Sequence, residues 1–278
     1  MSKVWFVTGS SRGLGRSFVE AALARGDKVA ATARSSPTGL SEKYGDAVLP
    51  LVLDVTDKDN VFAAVDQAQA HFGRLDVIVN NAGYGLSGAV EELDESQLRD
   101  QLETNLFGPL WVVQAALPYL RDQGDGRIIQ VSSVAGLLGL PLGGAYCASK
   151  WALEGLSEVL AQEVAGFGVK VTILEPGGYA TDGVTGGVQS AGIPLYDDLR
   201  AALTAYVAAA DFGDPDAAGR ACPSAARAPS STVSNSPTPR TRSIGPFFGT
   251  QGYPMAQQAY ADRLKTWADW QDLSVKAM

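Results

Sequence analysis

A chain of 278 residues, 46% hydrophobic and 19% charged, can bury the core of one large α/β domain and leaves little for a second. Its net charge of −8 disfavours nucleic acid and anionic membranes as partners, because both need a contiguous positive surface, so any phosphate must be held locally. Only Cys147 and Cys222 occur, a first strand begins within a few residues of Met1 and no apolar run reaches membrane-spanning length, so a reducing cytoplasmic setting without a structural disulfide is expected; His71 is the single histidine, which excludes a histidine triad and a histidine-rich metal site.

Val4 to Val7 is an apolar run of strand length, followed directly by Gly9-Ser10-Ser11-Arg12-Gly13-Leu14-Gly15. The pattern predicts a buried strand running into a glycine-rich turn that opens a helix, the architecture of a dinucleotide cradle. Gly9 permits the tight turn, Gly13 lets backbone approach a pyrophosphate, and Gly15 lets the helix pack closely on its strand. The N–H groups at the helix start attract phosphate. Leu14, Phe18, Ala22 and Leu23 recur at helical spacing over 13–25, with Gly26 as the stop. Strands over 28–33, 48–53 and 77–80 follow, with a helix over 58–72 before the last. A long helix over 95–121 precedes a strand over 127–131, and a helix over 146–167 precedes a strand over 169–174. Strands rich in Val and Ile with little alternation are buried on both faces, as in a parallel sheet. Repeated β–α alternation predicts an α/β fold: a Rossmann-like doubly wound parallel sheet with helices on both faces, one domain over 1–278, and ligands at the strands' C-terminal ends.

Beyond Thr181 the pattern breaks. Gly183, Gly186, Gly187, Gly192 and Pro194 precede a helix over 196–210, and residues 183–212 read equally as a lid beside a cleft or as an ordinary surface loop. Residues 221–246 hold six Ser and five Pro with no acidic residue and no Lys, a composition that cannot bury a face and predicts an irregular or disordered segment. A pair of compensating reading-frame shifts and a genuine flexible insertion both account for it; resequencing the gene separates them.

Tyr146 and Lys150 stand four apart, so on a helix they share one face a turn apart. A phenol near pKa 10 is a poor base at neutral pH, but a nearby ammonium favours phenolate and shifts that pKa downward. Tyr146 could then exchange a proton with a carbonyl or alcohol oxygen. Taken alone, the same spacing describes a surface Tyr and Lys on an amphipathic helix.

The chain also carries Asn80-Asn81-Ala82-Gly83 after a strand, Asn105 within a helix, Ser132-Ser133 after another strand, and Tyr146-Cys147-Ala148-Ser149-Lys150. Over about residues 3–182 it resembles the short-chain dehydrogenase/reductase family, whose signatures TGxxxGxG, NNAG, a catalytic serine and YxxxK stand here in unbroken order. The resemblance implies a catalytic set of Asn105, Ser133, Tyr146 and Lys150. In that set Ser133, thirteen residues before Tyr146, donates a hydrogen bond to the substrate oxygen; Ser132 points elsewhere or serves structure. Asn105 holds a water linking Lys150 to solvent, or else satisfies freed backbone groups at a kink. Lys150 also binds the nicotinamide ribose.

Cofactor contacts implied by the resemblance are Gly9, Ser11, Arg12, Gly13, Leu14 and Gly15 in the turn, Arg34 and Ser35 after the second strand, and Asp54 and Val55 after the third. Asn81, Ala82, Gly83, Tyr146, Lys150, Pro176, Gly177, Tyr179 and Thr181 complete them. Ala33 stands where readers of NAD place an acid, Arg34 follows it, and Arg12 lies in the turn. Forked guanidinium donors suit a phosphate dianion, so NADP(H) is expected over NAD(H). Tyr84, Leu86, Leu137, Leu138, Leu142 and Tyr179 would border a hydrophobic ketone, aldehyde or secondary alcohol. The helices over 95–121 and 146–167 resemble the family pair that builds a homodimer or homotetramer, and Phe247-Phe248-Gly249 fits the last strand. The expected activity is NADPH-dependent interconversion of carbonyl and alcohol; the same site acting on an enone or sugar, and an NADP(H)-binding regulator without turnover, are the alternatives.

Overall fold

All four side chains of Val4–Val7 (β1) are buried, which a strand achieves only when elements cover both of its faces. In the computed structural model, which describes residues 2–35, 39–177, 187–209, 243–244 and 252–276, those elements follow in regular alternation. After β1 come Gly13–Ala24 (α1), Lys28–Ala33 (β2), Leu40–Tyr44 (α2), Val48–Val52 (β3), Lys58–Phe72 (α3), Val77–Asn80 (β4), Leu86–Ser87 (β5), Glu95–Leu102 (α4) and Gly108–Gln123 (α5). Gly126–Val131 (β6), Gly144–Val164 (α6), Val169–Leu174 (β7), Val188–Gln189 (β8), Asp197–Ala209 (α7), Ser243–Ile244 (β9) and Gly252–Lys276 (α8) complete the described elements.

Seven strands form one parallel sheet in the order β3-β2-β1-β4-β6-β7-β9. Phe6 stands opposite Ala30 on one side and Ile78 on the other. Alternate residues along the strands serve opposite faces. Val4, Phe6, Ala30, Ile78 and Ile128 pack on Val61 and Val65 of α3 and Val112 and Leu120 of α5, whereas Trp5, Val7, Val29 and Val79 pack on Phe18, Ala22 and Leu23 of α1. Growth of the sheet changes direction after β3, so the C-terminal ends of β1 and β4 part into a crevice, where this fold holds its ligands.

Three differences from the sequence expectations have physical causes. The long helix over 95–121 is interrupted: α4 ends at Leu102, Glu103–Phe107 form a π-helical turn, and α5 starts at Gly108. Pro109 has no N–H to continue the ladder, and a Cβ on Gly108 would lie 2.8 Å from Val55 Cγ2, so the chain comes too close to Val55 for a larger residue there. Gly85, β5 and Ser87 pair with a segment a hundred residues on, making a two-stranded sheet with β8 that no local pattern announces. The seventh strand is Ser243–Ile244, opposite Thr172 and Ile173, within the stretch expected to be irregular; the rest of 221–246 and Phe247-Phe248-Gly249 lie outside the described residues. Among the described residues no helix is long and apolar enough to cross a membrane.

Candidate active site

The glycine turn is held open by two side chains at the ends of β1 and β4. Thr8 Oγ1 donates to the Val79 carbonyl at 3.3 Å and accepts from the backbone N–H groups of Asn81 and Ala82, both at 3.0 Å. Asn81 Nδ2 donates back to the carbonyls of Thr8 and Gly9 at 2.9 and 3.1 Å. Asn81 therefore ties the two strands together. Gly9 has φ +68°, and a Cβ on it would lie 2.9 Å from Ala82 Cα; on Gly15 a Cβ would overlap the Gly9 carbonyl and Asn81 Nδ2. Gly13 also has a left-handed φ, +55°. Arg12, at the N-cap of α1, offers no side-chain cap, unlike Asp57 and Asp94, which cap α3 and α4. Ser10, not singled out from the sequence, anchors the turn to β2 by donating from Oγ and N to the Thr32 carbonyl at 3.0 and 2.9 Å.

Gly83 brings this turn to the helix of Tyr146 and Lys150: a Cβ there would lie 3.0 Å from Asn105 Oδ1 and 3.7 Å from Lys150 Nζ. Asn105 sits in the π-helical turn, fully buried. Its Oδ1 accepts from the Tyr84 N–H at 3.1 Å, and its Nδ2 donates to the Tyr84 carbonyl and Ser149 Oγ, both at 3.0 Å. Ser149 in turn donates to the Tyr146 carbonyl at 2.8 Å. Asn105 thus ties the segment after β4 to α6. Lys150 Nζ donates to the Val131 carbonyl at 2.8 Å and lies 5.7 Å from the centre of the Tyr146 ring. Both groups share one face of α6.

Ser133, at the end of β6, caps the short turn Val134–Gly136 by accepting from the Ala135 N–H at 3.1 Å. Ser132 turns away toward Gly136, as a Cβ on Gly136 would lie 2.7 Å from Ser132 Oγ.

Electrostatics depart from the expectation for the tyrosine. Burial pushes the Tyr146 hydroxyl above its ordinary pKa of 10, and a hydrogen bond from Ser133 pulls it only part of the way back. Burial also depresses Lys150 to about 8, against a raising influence of Glu154. The expected downward shift of Tyr146 is therefore reversed, because burial penalises the charged phenolate more than the Ser133 hydrogen bond favours it.

Arg34 and Ser35 follow β2, exposed, beside the edge of the turn where Ser11 and Arg12 are also exposed; Leu14 packs under it against the core. Asp54, exposed, accepts from the N–H and hydroxyl of Thr56 at 2.9 and 2.8 Å, and Val55 is buried under Gly108. Pro176 accepts from the Val134 N–H at 3.0 Å, with Gly177 beside it. Tyr179 and Thr181 lie outside the described residues. Leu86, Leu137, Leu138 and Leu142 are all buried, and Leu142 adopts a left-handed φ of +60°, rare for a branched residue, with its carbonyl accepting from the Gly88 N–H at 2.7 Å.

One buried carboxylate that the sequence did not single out holds the segment 187–209. Glu92 Oε1 accepts from Arg200 Nη1 at 2.7 Å and the Ile193 N–H at 2.6 Å, and Oε2 accepts from the Ala89 N–H at 2.8 Å. These donors, the Ile193 N–H first, hold its pKa down to about 2. Tyr196 adds a hydroxyl bond to Glu91 at 2.6 Å.

Residues 3–190 match the family model described as short chain dehydrogenase. Among curated proteins, the chain is 52% identical over 185 residues to oxidoreductase BOA17 of Botryotinia fuckeliana, covering 66% of this chain and 68% of the relative. It is 41% identical over 179 residues to a 3-ketodihydrosphingosine reductase of Bacteroides thetaiotaomicron, covering 64% and 65%. Among solved structures, a short-chain dehydrogenase from Streptomyces avermitilis superposes with a TM-score of 0.87 at 35% identity, over 100% of this chain and 99% of that one. An alcohol dehydrogenase from the archaeon Thermococcus sibiricus, complexed with 5-hydroxy-NADP, superposes with a TM-score of 0.68 at 27% identity, over 82% and 92%. With the glycine turn, Gly83 and the Tyr146–Lys150 face drawn into one crevice, and with a family match over two thirds of its length, the chain belongs to the short-chain dehydrogenase/reductase family of NAD(P)-dependent oxidoreductases.

Proposed function

We propose that the protein interconverts a hydrophobic carbonyl compound and its alcohol with NADP(H), Tyr146 passing the proton. The observation that carries this reading is the convergence at Gly83: the crevice opened by Gly9 and Gly15 leads to Lys150 Nζ, which lies 5.7 Å from the Tyr146 ring centre, and to the Ser133 hydroxyl bonded to Tyr146. The residues fit a dinucleotide, since the absence of a Cβ at Gly9 and Gly15 lets the turn close on Ala82 and α1 close on the Gly9 carbonyl, and α1 has no side-chain cap to compete with a phosphate. A nicotinamide ring, when bound, supplies or accepts the hydride. Gly9, Ser11, Arg12, Gly13, Leu14 and Gly15 would hold its phosphates, Asp54 and Val55 the adenine side, and Asn81, Ala82, Gly83, Lys150, Pro176, Gly177, Tyr179 and Thr181 the rest. Ser133 donates to the substrate oxygen as charge develops there. Tyr146 gives its proton to that oxygen in reduction and takes one in oxidation. Asn105 fixes the backbone around the pair. The test is a spectrophotometric screen of NADPH and NADH consumption against varied carbonyl compounds; tight cofactor binding with no turnover on any of them would favour a non-catalytic regulator instead.

Preference for NADP(H) rests on Arg34 and Arg12, exposed at the crevice edge with Ala33 in the place of an acid; the NADP-type ligand of the Thermococcus enzyme supports it. Arg34→Asp is expected to lower the ratio of kcat/KM for NADPH over NADH by about tenfold or more, and an unchanged ratio would remove Arg34 from phosphate recognition. A hydrophobic substrate is supported by the buried Leu86, Leu137, Leu138 and Leu142 and by the ketone in the name of the Bacteroides relative.

We propose that residues 1–278 form one unit in which 183–212 covers the substrate; of that segment 183–186 and 210–212 lie outside the described residues. Glu92 is deprotonated down to about pH 2, so its clasp stays closed through the neutral range and loosens only as acid protonates it. Glu92→Ala is expected to raise KM for the carbonyl substrate and to speed limited proteolysis within 187–209 by about tenfold; unchanged cleavage would show that the segment is held by other contacts. An apolar groove between the π-helical turn and α6, lined by Leu106, Phe107, Leu110, Ala152, Leu156 and Val159, is the surface a second copy would cover in a homodimer or homotetramer. The setting we propose is cytoplasmic.

A further inference from the structure

Helix α6 carries a second buried ionisable group that the proton transfer does not use. Glu154 lies one turn beyond Lys150 on the same helix face, where Cβ atoms are about 5–6 Å apart, and each residue is only 5% exposed. Gly136 makes the room: a Cβ there would lie 2.9 Å from Glu154 Cγ, 3.1 Å from Glu154 Oε1 and 2.7 Å from Ser132 Oγ. A carboxylate in so dry a position is costly unless a cation answers it. Lys150, a turn back on the same face, feels that charge, which works against the burial that depresses the lysine to about 8.

We propose that Glu154 is a positioning residue for Lys150, a buried counter-charge that keeps the lysine an ammonium donating to the Val131 carbonyl beside Tyr146. This rests on the reading of Tyr146 and Lys150 given above. The other groups around α6 do not substitute for it. On α6 itself Tyr146 and Cys147 are neutral near pH 7, both raised by burial, and Glu158 and Glu163 are exposed. The turn Val134–Gly136 and β5 carry no charge, Asn105 is neutral, Glu103 in the π-helical turn is half-buried, and Glu95, Arg99 and Asp100 of α4 are exposed. β7 carries Lys170 near its start, and Glu175, buried, follows its end. Of these, Glu154 is the group whose charge raises Lys150.

The test reads the lysine directly, in cofactor-free full-length protein labelled with 15N-lysine. The Lys150 side-chain resonance is assigned by its loss in Lys150→Arg, and its pH titration is followed by NMR. The unmodified protein should titrate near 8. Glu154→Gln, which keeps the shape and removes the charge, should titrate lower by about one unit; Glu154→Asp should return most of the shift. Gly136→Ala, which crowds the carboxylate aside by another route, should move it in the same direction. In steady-state assays activity that needs the ammonium is lost as pH rises through the Lys150 pKa, so the alkaline limb of kcat should move to lower pH in Glu154→Gln. A Lys150 titration unmoved in both Glu154→Gln and Gly136→Ala overturns the proposal, even if activity or melting temperature falls, since a purely structural glutamate would produce that pattern. Tyr146→Phe, assayed alongside, separates the two readings: full turnover there would overturn the catalytic assignment while the NMR titration still decides the role of Glu154.

Discussion

Replacing Tyr146 by Phe is expected to lower kcat by about 10²–10⁴-fold while leaving NADPH affinity within a few-fold. The substitution removes one oxygen and keeps the ring that Lys150 faces. Lys150 retains its bond to Val131, and Asn105 and Ser149 still hold the backbone of α6, so the crevice keeps its shape. What goes is the proton donor and the acceptor of the Ser133 hydrogen bond. Because burial raises the tyrosine pKa, the group is a neutral phenol at pH 7, the form that gives a proton to a carbonyl oxygen. Reduction should therefore be favoured at neutral pH. Steady-state rates at saturating NADPH, with cofactor binding followed by fluorescence, check this. Turnover within tenfold of the unmodified enzyme would mean that another group carries the proton.

Gly15→Ala is expected to lower both stability and cofactor affinity. Its Cβ would run into the Gly9 carbonyl and Asn81 Nδ2. Neither can yield cheaply, because Asn81 Nδ2 already holds the carbonyls of Thr8 and Gly9 and so joins β1 to β4. Relief requires the first turn of α1 to lift away from the strand, which opens the phosphate cradle and unpacks Phe18 and Ala22 from Trp5 and Val7. The expected cost is about 1–3 kcal/mol of stability, read as a lower denaturation midpoint, together with at least about tenfold weaker NADPH binding. Gly166→Ala is the control, since a Cβ there meets nothing within 4 Å. Unaltered cofactor affinity in Gly15→Ala would show that the helix start does not hold the dinucleotide.

The π-helical turn and the clasp show where legibility ended. Apolar periodicity over 95–121 is continuous, and Pro109 at the seam looks like an ordinary helix-start proline; the widening of the turn follows from the approach of Gly108 to Val55, fifty residues earlier. Glu92 reads as one more acidic residue in Val90-Glu91-Glu92, and nothing local says that Arg200 and Ile193 will close on it. Glu154 offered a faint signal, a charged residue four beyond Lys150 inside an apolar stretch, but its meaning needed Gly136 beside it. Thr8 was legible only as a motif letter, although it accepts the two N–H groups that fix Asn81 and Ala82.

By itself the sequence determined the alternation of strands and helices, the position of the glycine turn and the shared helix face of Tyr146 and Lys150, since periodicity, turn chemistry and four-residue spacing act within a few residues of chain. The direction in which Tyr146 and Lys150 titrate, the bond from Lys150 to Val131 and the clamping of 187–209 by Glu92 were decided only in the tertiary structure. Desolvation and long-range pairing are properties of what distant segments place around a group, and no stretch of sequence contains its own surroundings.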